Sequence, residues 1–192
     1  MSISTPMEKL KSDTRAAHER LERNSFGTSL MEGRLTREDY RRLLAKFYGI
    51  YAPLEPSLVA NPHLSAIGFD YAARQKLPAL ESDLLYLRTE LAYLPVCVGL
   101  PPLSGLPETL GILYVVEGST LGGQVLARKL LEMFGREADR YTRFFNSYGE
   151  RVGVLWKSFG ELVNTNIKPA DEPALVGAAT AMFSAFDAWL KD

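Results

Sequence analysis

Apolar positions recur at three- and four-residue intervals along nearly the whole chain. Strand-like alternation, and the Val/Ile/Thr clusters that accompany it, are sparse. The pattern predicts an all-α fold of about seven helices. Leu10, Thr14, Ala17, His18 and Leu21 share one face of a first helix from about Pro6 to about Asn24. Lys11 and Glu22 flank that stripe, and Asn24-Ser25-Phe26-Gly27 reads as its end. A second helix starts at Thr36, where Thr36-Arg37-Glu38-Asp39 resembles a capping box with an aspartate in the third position. Pro53 and Pro56 are expected to kink or end it, because each lacks a backbone donor and crowds the preceding turn. Residues 61–70 read as a loop or short irregular helix.

Pro78 sits at the favoured first turn of a further helix, expected to run to about Tyr93. Residues 95–107 hold four prolines and two glycines and must form a loop. The run PETLGILYVVEGSTLGGQVLARKLLEMFG follows, started by Pro107 and stopped by Gly135. Gly118, Gly122 and Gly123 lie in its middle, each costing about 1 kcal/mol against alanine. Such a local weakness requires a compensating reason. Three more helices are expected, over about Glu137–Tyr148, Glu150–Asn166 and Asp171–Lys191.

Length narrows the picture: 192 residues suffice for one domain, 1–192, with one core. Hydrophobic residues at 46% and charged residues at 23% exclude a disordered chain and a collagen-like repeat. A single cysteine, Cys97, excludes an internal disulfide and is expected as a small buried apolar side chain. The net charge of −1 gives no sign of a nucleic-acid partner. The N-terminal residues lack the apolar stretch of a secretion signal. The longest unbroken apolar run, near Ile112–Val116, is too short to span a bilayer. A cytoplasmic protein without a membrane partner is the expectation.

With only His18 and His63, no multi-histidine metal site can be built, nor a cysteine-rich zinc site. His63 lies in a turn-like stretch and takes no catalytic role. The glycines have two physical uses: close approach of another backbone, or a flat ligand laid on bare main chain. His18 likewise is either an ordinary boundary histidine or a ligand. Glu22, one turn on, can reach the ring nitrogen that a metal leaves free. Lys11, two turns back, can meet an anionic group at a pocket rim. A single imidazole suits the axial position of a haem iron and no ordinary zinc or non-haem iron site.

Three motifs then carry a resemblance. Leu10-Lys11-x-x-Thr14-x-x-x-His18-x-x-x-Glu22 resembles the proximal helix of the haem oxygenase family. Phe47-Tyr48-x-Ile50-Tyr51-x-x-Leu54-Glu55 is similar to its second helix. Glu117-Gly118-Ser119-Thr120-Leu121-Gly122-Gly123-Gln124-Val125-Leu126 resembles its glycine-rich distal helix. The EGSTLGG wording is similar to bacterial members, including the branch associated with bacterial phytochromes. The motifs stand in the family's order and span most of the chain.

The resemblance implies haem sandwiched between a proximal and a distal helix, acting as substrate and prosthetic group together. It implies oxidative cleavage to biliverdin, CO and ferrous iron with O2 and electrons from an external reductase or ferredoxin. It makes His18 the iron ligand, Glu22 the nearby acid, and Gly118, Gly122 and Gly123 the distal backbone that approaches the porphyrin. Tyr51 matches a tyrosine of the distal water network. Ser119 stands where animal members carry an aspartate; a hydroxyl donates and accepts hydrogen bonds but lacks the charge. Lys11 and Arg151, with Lys157 nearby, are candidates for the propionates, and Arg15, Arg20, Arg128 and Lys129 for a donor-protein patch. A solvated charge explains Arg151, Lys157 and the four patch residues equally well. The alternatives are a non-catalytic haem- or bilin-binding protein of the same fold, a helical enzyme such as the thiamin-degrading or quinone-cofactor families, and a helical interaction protein.

Overall fold

In the computed structural model, which describes residues 4–191, nine α-helices and five short 3-10 segments form the fold. No strand occurs among the described residues. The all-α expectation holds, and the count of about seven helices falls short for reasons that lie in particular side chains.

The N-terminal stripe makes two helices, α1 (Pro6–Asp13) and α2 (Arg15–Glu22), instead of one reaching Asn24. Buried Thr14 sits at the joint, its hydroxyl donating to the Leu10 carbonyl at 2.6 Å. A threonine bonded back to the i−4 carbonyl bends a helix without breaking it. The ladder indeed continues, Thr14 N–H to Leu10 O and His18 N–H to Thr14 O, both at 3.0 Å. Asn24 begins an element: its side chain accepts from Gly27 N–H at 2.9 Å and caps α3 (Ser25–Met31).

The capping box at Thr36 and Asp39 forms as expected and opens α4 (Arg37–Val59). This helix runs through Pro53 and Pro56. Pro53 cannot donate to the Gly49 carbonyl, and Cys97 N–H donates there instead, at 2.8 Å. Gly49 admits that neighbour: a Cβ would lie 2.7 Å from Pro95 O and 2.5 Å from the Trp189 ring. The proline-rich loop is thereby docked on α4, and Cys97 is buried.

Pro62–Ala66 forms a short α5, and Leu77–Tyr86 forms α6. α6 stops well before Tyr93, because Arg88 adopts a left-handed conformation (φ 57°) and Thr89 N–H closes on Leu84 O at 3.0 Å. No glycine announces that stop. Leu106–Phe134 is one continuous α7. The helix expected over Glu137–Tyr148 does not form; a 3-10 segment (Arg136–Arg140) is followed by turns. The N–H groups of Arg143 and Phe144 go to the Asp83 carboxylate on α6, at 3.2 and 2.8 Å. A second 3-10 segment (Gly149–Arg151) leads into α8 (Val152–Asn166). Asp171 ends a third (Pro169–Asp171) rather than capping α9 (Glu172–Lys191).

α7 and α9 form the most extensive helix pair. Both lie in stretches long and apolar enough to cross a bilayer (mean hydropathy 1.3 for Leu106–Phe134, 1.2 for Pro169–Lys191), which the short unbroken run near Ile112 did not suggest. Here 56% and 44% of those windows are buried inside the fold. Gly111 lets the pair close. A Cβ there would stand 2.2 Å from Leu175 O and 3.0 Å from Ala179 N, both backbone atoms.

Gly111→Ala is therefore predicted to cost about 3 kcal/mol by forcing the helices apart, a fall in Tm of roughly 10 °C. A melting curve unchanged from wild type would contradict this crossing. Asp83 generates a pH prediction. Burial pushes its carboxyl up to about 6 from an ordinary 3.8, against the lowering pull of the Phe144 and Arg143 N–H groups and the Arg143 charge. The folded chain then holds this proton more tightly than the unfolded chain, so stability contributed by Asp83 falls as pH rises from 3.8 to about 6 and stays lost above that range. Urea unfolding at stepped pH should show wild type losing on the order of 2 kcal/mol relative to Asp83→Asn across that window; a flat difference would contradict it.

Candidate functional site

α2, α3, α4, α7, α8 and α9, with the turn at Phe144 and Phe145, enclose a cavity of about 640 Å³. That is within the range of ~300–1,000 Å³ typical of small-molecule sites. Its walls are predominantly apolar: Leu21, Phe47, Tyr114, Trp156, Phe183 and Phe186 contribute with Phe144 and Phe145.

His18 lines the cavity from α2. Its side chain is 55% exposed, and its ring meets the edge of Phe183 at 5.6 Å with an 88° interplanar angle. Glu22 lines the same wall, its Oε1 3.7 Å from His18 Nδ1. This exceeds a hydrogen bond, but it puts the carboxylate beside Nδ1 and leaves Nε2 as the nitrogen away from it.

The glycine segment of α7 forms another wall, and its members divide between the two uses open at the outset. A Cβ on Gly122 would meet nothing within 4 Å, and one on Gly118 would only touch Trp156 at 3.4 Å. Gly123 serves backbone approach: a Cβ there would lie 2.5 Å from Phe145 O. It therefore seats the aromatic turn as well as bordering the cavity. Ser119 and Tyr51 also line the space. Their hydroxyls are 3.4 Å apart, and Ser119 Oγ donates to Val116 O at 2.8 Å. Burial is the largest cause of a raised Tyr51 pKa, so its hydroxyl stays protonated.

Behind this wall lies a buried cluster of charged side chains. Glu117, one residue before the first distal glycine, is 1% exposed. Its Oε2 accepts from Arg74 Nη1 at 2.7 Å; its Oε1 accepts from Lys76 Nζ at 2.8 Å and from Tyr148 Oη at 2.9 Å. Arg74 also donates to Leu155 O and Ser158 Oγ on α8. Lys76, 1% exposed, borders the cavity. Glu55 on α4 accepts from Tyr71 Oη and from the N–H groups of Lys76 and Leu77 at 2.8 to 3.0 Å. Sequence reasoning gave Lys76, Arg74 and Tyr148 no part. The signal was Glu117 itself, an acid closing an apolar helical run, which must be buried and so must have partners.

Of the candidates named from sequence, His18, Glu22, Tyr51, Gly118, Ser119, Gly122 and Gly123 come together on one cavity. Lys11 and Arg151 do not line it; both are exposed. Lys157 lies near its own-helix Glu161 at 3.9 Å. Arg20 pairs with Asp187, and Arg15 and Lys129 lie near Glu19 and Glu132, so the suggested patch is largely charge-compensated. No group of three or more metal-ligating side chains occurs among the described residues. A metal that arrives inside a macrocycle needs only an axial protein ligand. A broad apolar cavity with one imidazole and a stretch of bare backbone fits such a group.

A protein named Heme oxygenase from Xanthomonas campestris pv. campestris (strain 8004) is 29% identical over 160 residues, covering 82% of this chain and 92% of its own. The solved heme oxygenase of Leptospira interrogans superposes with a TM-score of 0.82 at 16% identity over 98% of this chain and 99% of its own. Heme oxygenase-1 of the cyanobacterium Synechocystis, in complex with heme, gives 0.80 at 16% identity over 97% and 91%. The NO- and CO-bound enzyme of Neisseria meningitidis gives 0.75 at 21% over 98% and 91%. The sequence model of the family described as Heme oxygenase matches residues 4–192, nearly the full length, and the chain belongs to that family.

Proposed function

We propose that this chain, as one domain, is a haem oxygenase that binds haem in the cavity between His18 and the Gly118–Gly122 backbone. The observation that carries the reading is that pairing: one imidazole and one side-chain-free helical surface on the same apolar cavity. Haem is substrate and supplies the redox chemistry, cleaved with O2 and external electrons to biliverdin, CO and ferrous iron. The protein's share is binding, orientation and control of water and protons.

His18 would hold the iron through Nε2, with the Glu22 carboxylate on the Nδ1 side of the ring to favour that tautomer. Gly118 and Gly122 leave space for the ring and for a small ligand beside it, while Gly123 fixes the wall through Phe145. Tyr51 and Ser119 replace a distal carboxylate with two neutral hydroxyls that order water. Bound haem would carry its propionates at the solvent edge, and Lys11 and Arg151, exposed outside the cavity lining, are their proposed partners. A ferredoxin or reductase is the proposed electron donor, and a bacterial, cytoplasmic setting without nucleic-acid or membrane partners is part of the same reading.

Haem titration is expected to give a histidine-ligated Soret band in wild type. His18→Ala should abolish that spectrum and bilin formation with little change in Tm, because the ring is half exposed. Undiminished turnover in the variant would contradict the assigned ligand. Gly122→Leu should fold as well as wild type, since its side chain enters open space and leucine is the better helix former, yet bind haem at least about tenfold more weakly, on the order of 1.4 kcal/mol. Unchanged affinity would move the ring away from this part of α7.

A further inference from the structure

Reduction of O2 takes up protons, so a haem oxygenase requires a proton source at its cavity. The nearest hydroxyls cannot act as net acids, because each would leave a buried oxyanion behind, whereas an ammonium leaves a neutral amine. Ser119 commits its proton to Val116 O, which leaves Tyr51 to supply the proton in the 3.4 Å contact between them. Thr120 donates to Glu117 O at 2.6 Å. Among the residues lining the cavity, Lys76 is the one lysine or arginine.

We propose that Lys76 is the proton source for this cavity, a role that rests on the oxygenase reading, and that Tyr148 and Glu117 hold it ready in either protonation state. As an ammonium it has three protons and three acceptors: Arg74 O at 3.0 Å, Glu117 Oε1 at 2.8 Å and Tyr148 Oη at 2.8 Å. When Nζ breaks its hydrogen bond to Tyr148 Oη and gives that proton to a cavity water, the lone pair stays on nitrogen. Tyr148 then turns its hydroxyl proton from Glu117 to the amine, and Arg74 and the remaining Lys76 protons keep Glu117 satisfied. Neither state strands a buried polar atom, a condition an isolated buried lysine fails. The amine is later reprotonated from the solvent's pool of hydronium and buffer acid, so each cycle moves one proton from solvent to the cavity and no electrons.

The groups facing Lys76 come from every element around it: Glu117 on α7, Glu55 on α4, Tyr71 and Arg74 from the segment before it, and Tyr148 from the turn before α8. Two cations and two carboxylates make the cluster neutral in sum. Burial lowers the Lys76 pKa more than Glu117 and Glu55 restore it, with Arg74 adding to the lowering, and this brings the ammonium nearer to a useful acid.

The test uses the full chain. In haem-free protein labelled with ¹³Cε-lysine, the resonance that Lys76→Met removes is expected to titrate below the surface lysines. With haem, reductant and O2, wild-type turnover should fall as pH rises through that same titration. Lys76→Met should turn over about a hundredfold more slowly, with that limb absent and haem affinity within about twofold. Tyr148→Phe, which keeps both ion pairs to Glu117, should displace the limb. A Lys76 resonance that titrates with the surface lysines, a folded Lys76→Met protein with wild-type turnover and pH profile, or an unmoved limb in Tyr148→Phe would each overturn the proposal. Failure of the wild type to bind haem would instead remove the oxygenase reading, and this proposal with it.

Discussion

One demand governs the molecule: α7 must border an apolar cavity with three of its positions bare of side chains and still remain a helix. Gly118, Gly122 and Gly123 together weaken that stretch by about 3 kcal/mol in intrinsic propensity. The stretch is held in place at both ends. On the N-terminal side Gly111 locks α7 into α9, and Glu117 is tied to Arg74, Lys76 and Tyr148. On the C-terminal side Gly123 sits against the Phe145 carbonyl, and Gln124 donates to Gly149 O. The glycines are thus suspended between two fixed points.

Those fixed points depend on segments that are not regular helix. The turn holding Phe144 and Phe145 exists because Asp83 takes its N–H groups away from a helical ladder, which couples a cavity wall to a carboxyl titrating near pH 6. The proline-rich loop is anchored where Pro53 leaves a carbonyl without its usual partner. The buried ion pairs of Glu117 are costly to assemble, since both charges leave water. Their position directly beneath the glycine segment gives them a use that stability alone does not.

Much of this was legible in the residues. Helical periodicity, the capping box at Thr36 and the interrupted apolar run at Gly118–Gly123 each correspond to an observed element. His18, Glu22, Tyr51, Ser119 and the glycines do meet on one cavity. What escaped were effects in which a distant partner overrides a local rule. Pro53 does not end α4 because Cys97 supplies the missing donor. Residues 137–148 do not form a helix because Asp83 competes for the backbone. Arg88 stops α6 without a glycine, and Asn24 caps forwards where it read as a terminator. The Lys76 cluster was invisible for the same reason: its members are far apart along the chain, and only folding brings them together.

The proposed chemistry requires haem between His18 and the bare stretch of α7 in a geometry that permits its own cleavage. The decisive experiment is to load the full chain with haem, supply a reductant in air, and separate the products by chromatography while trapping the evolved gas. The expected result is loss of the Soret band with appearance of biliverdin and CO in equal amounts. Haem that remains bound and intact, or bleaches without releasing CO, would refute a cleaving geometry at this cavity.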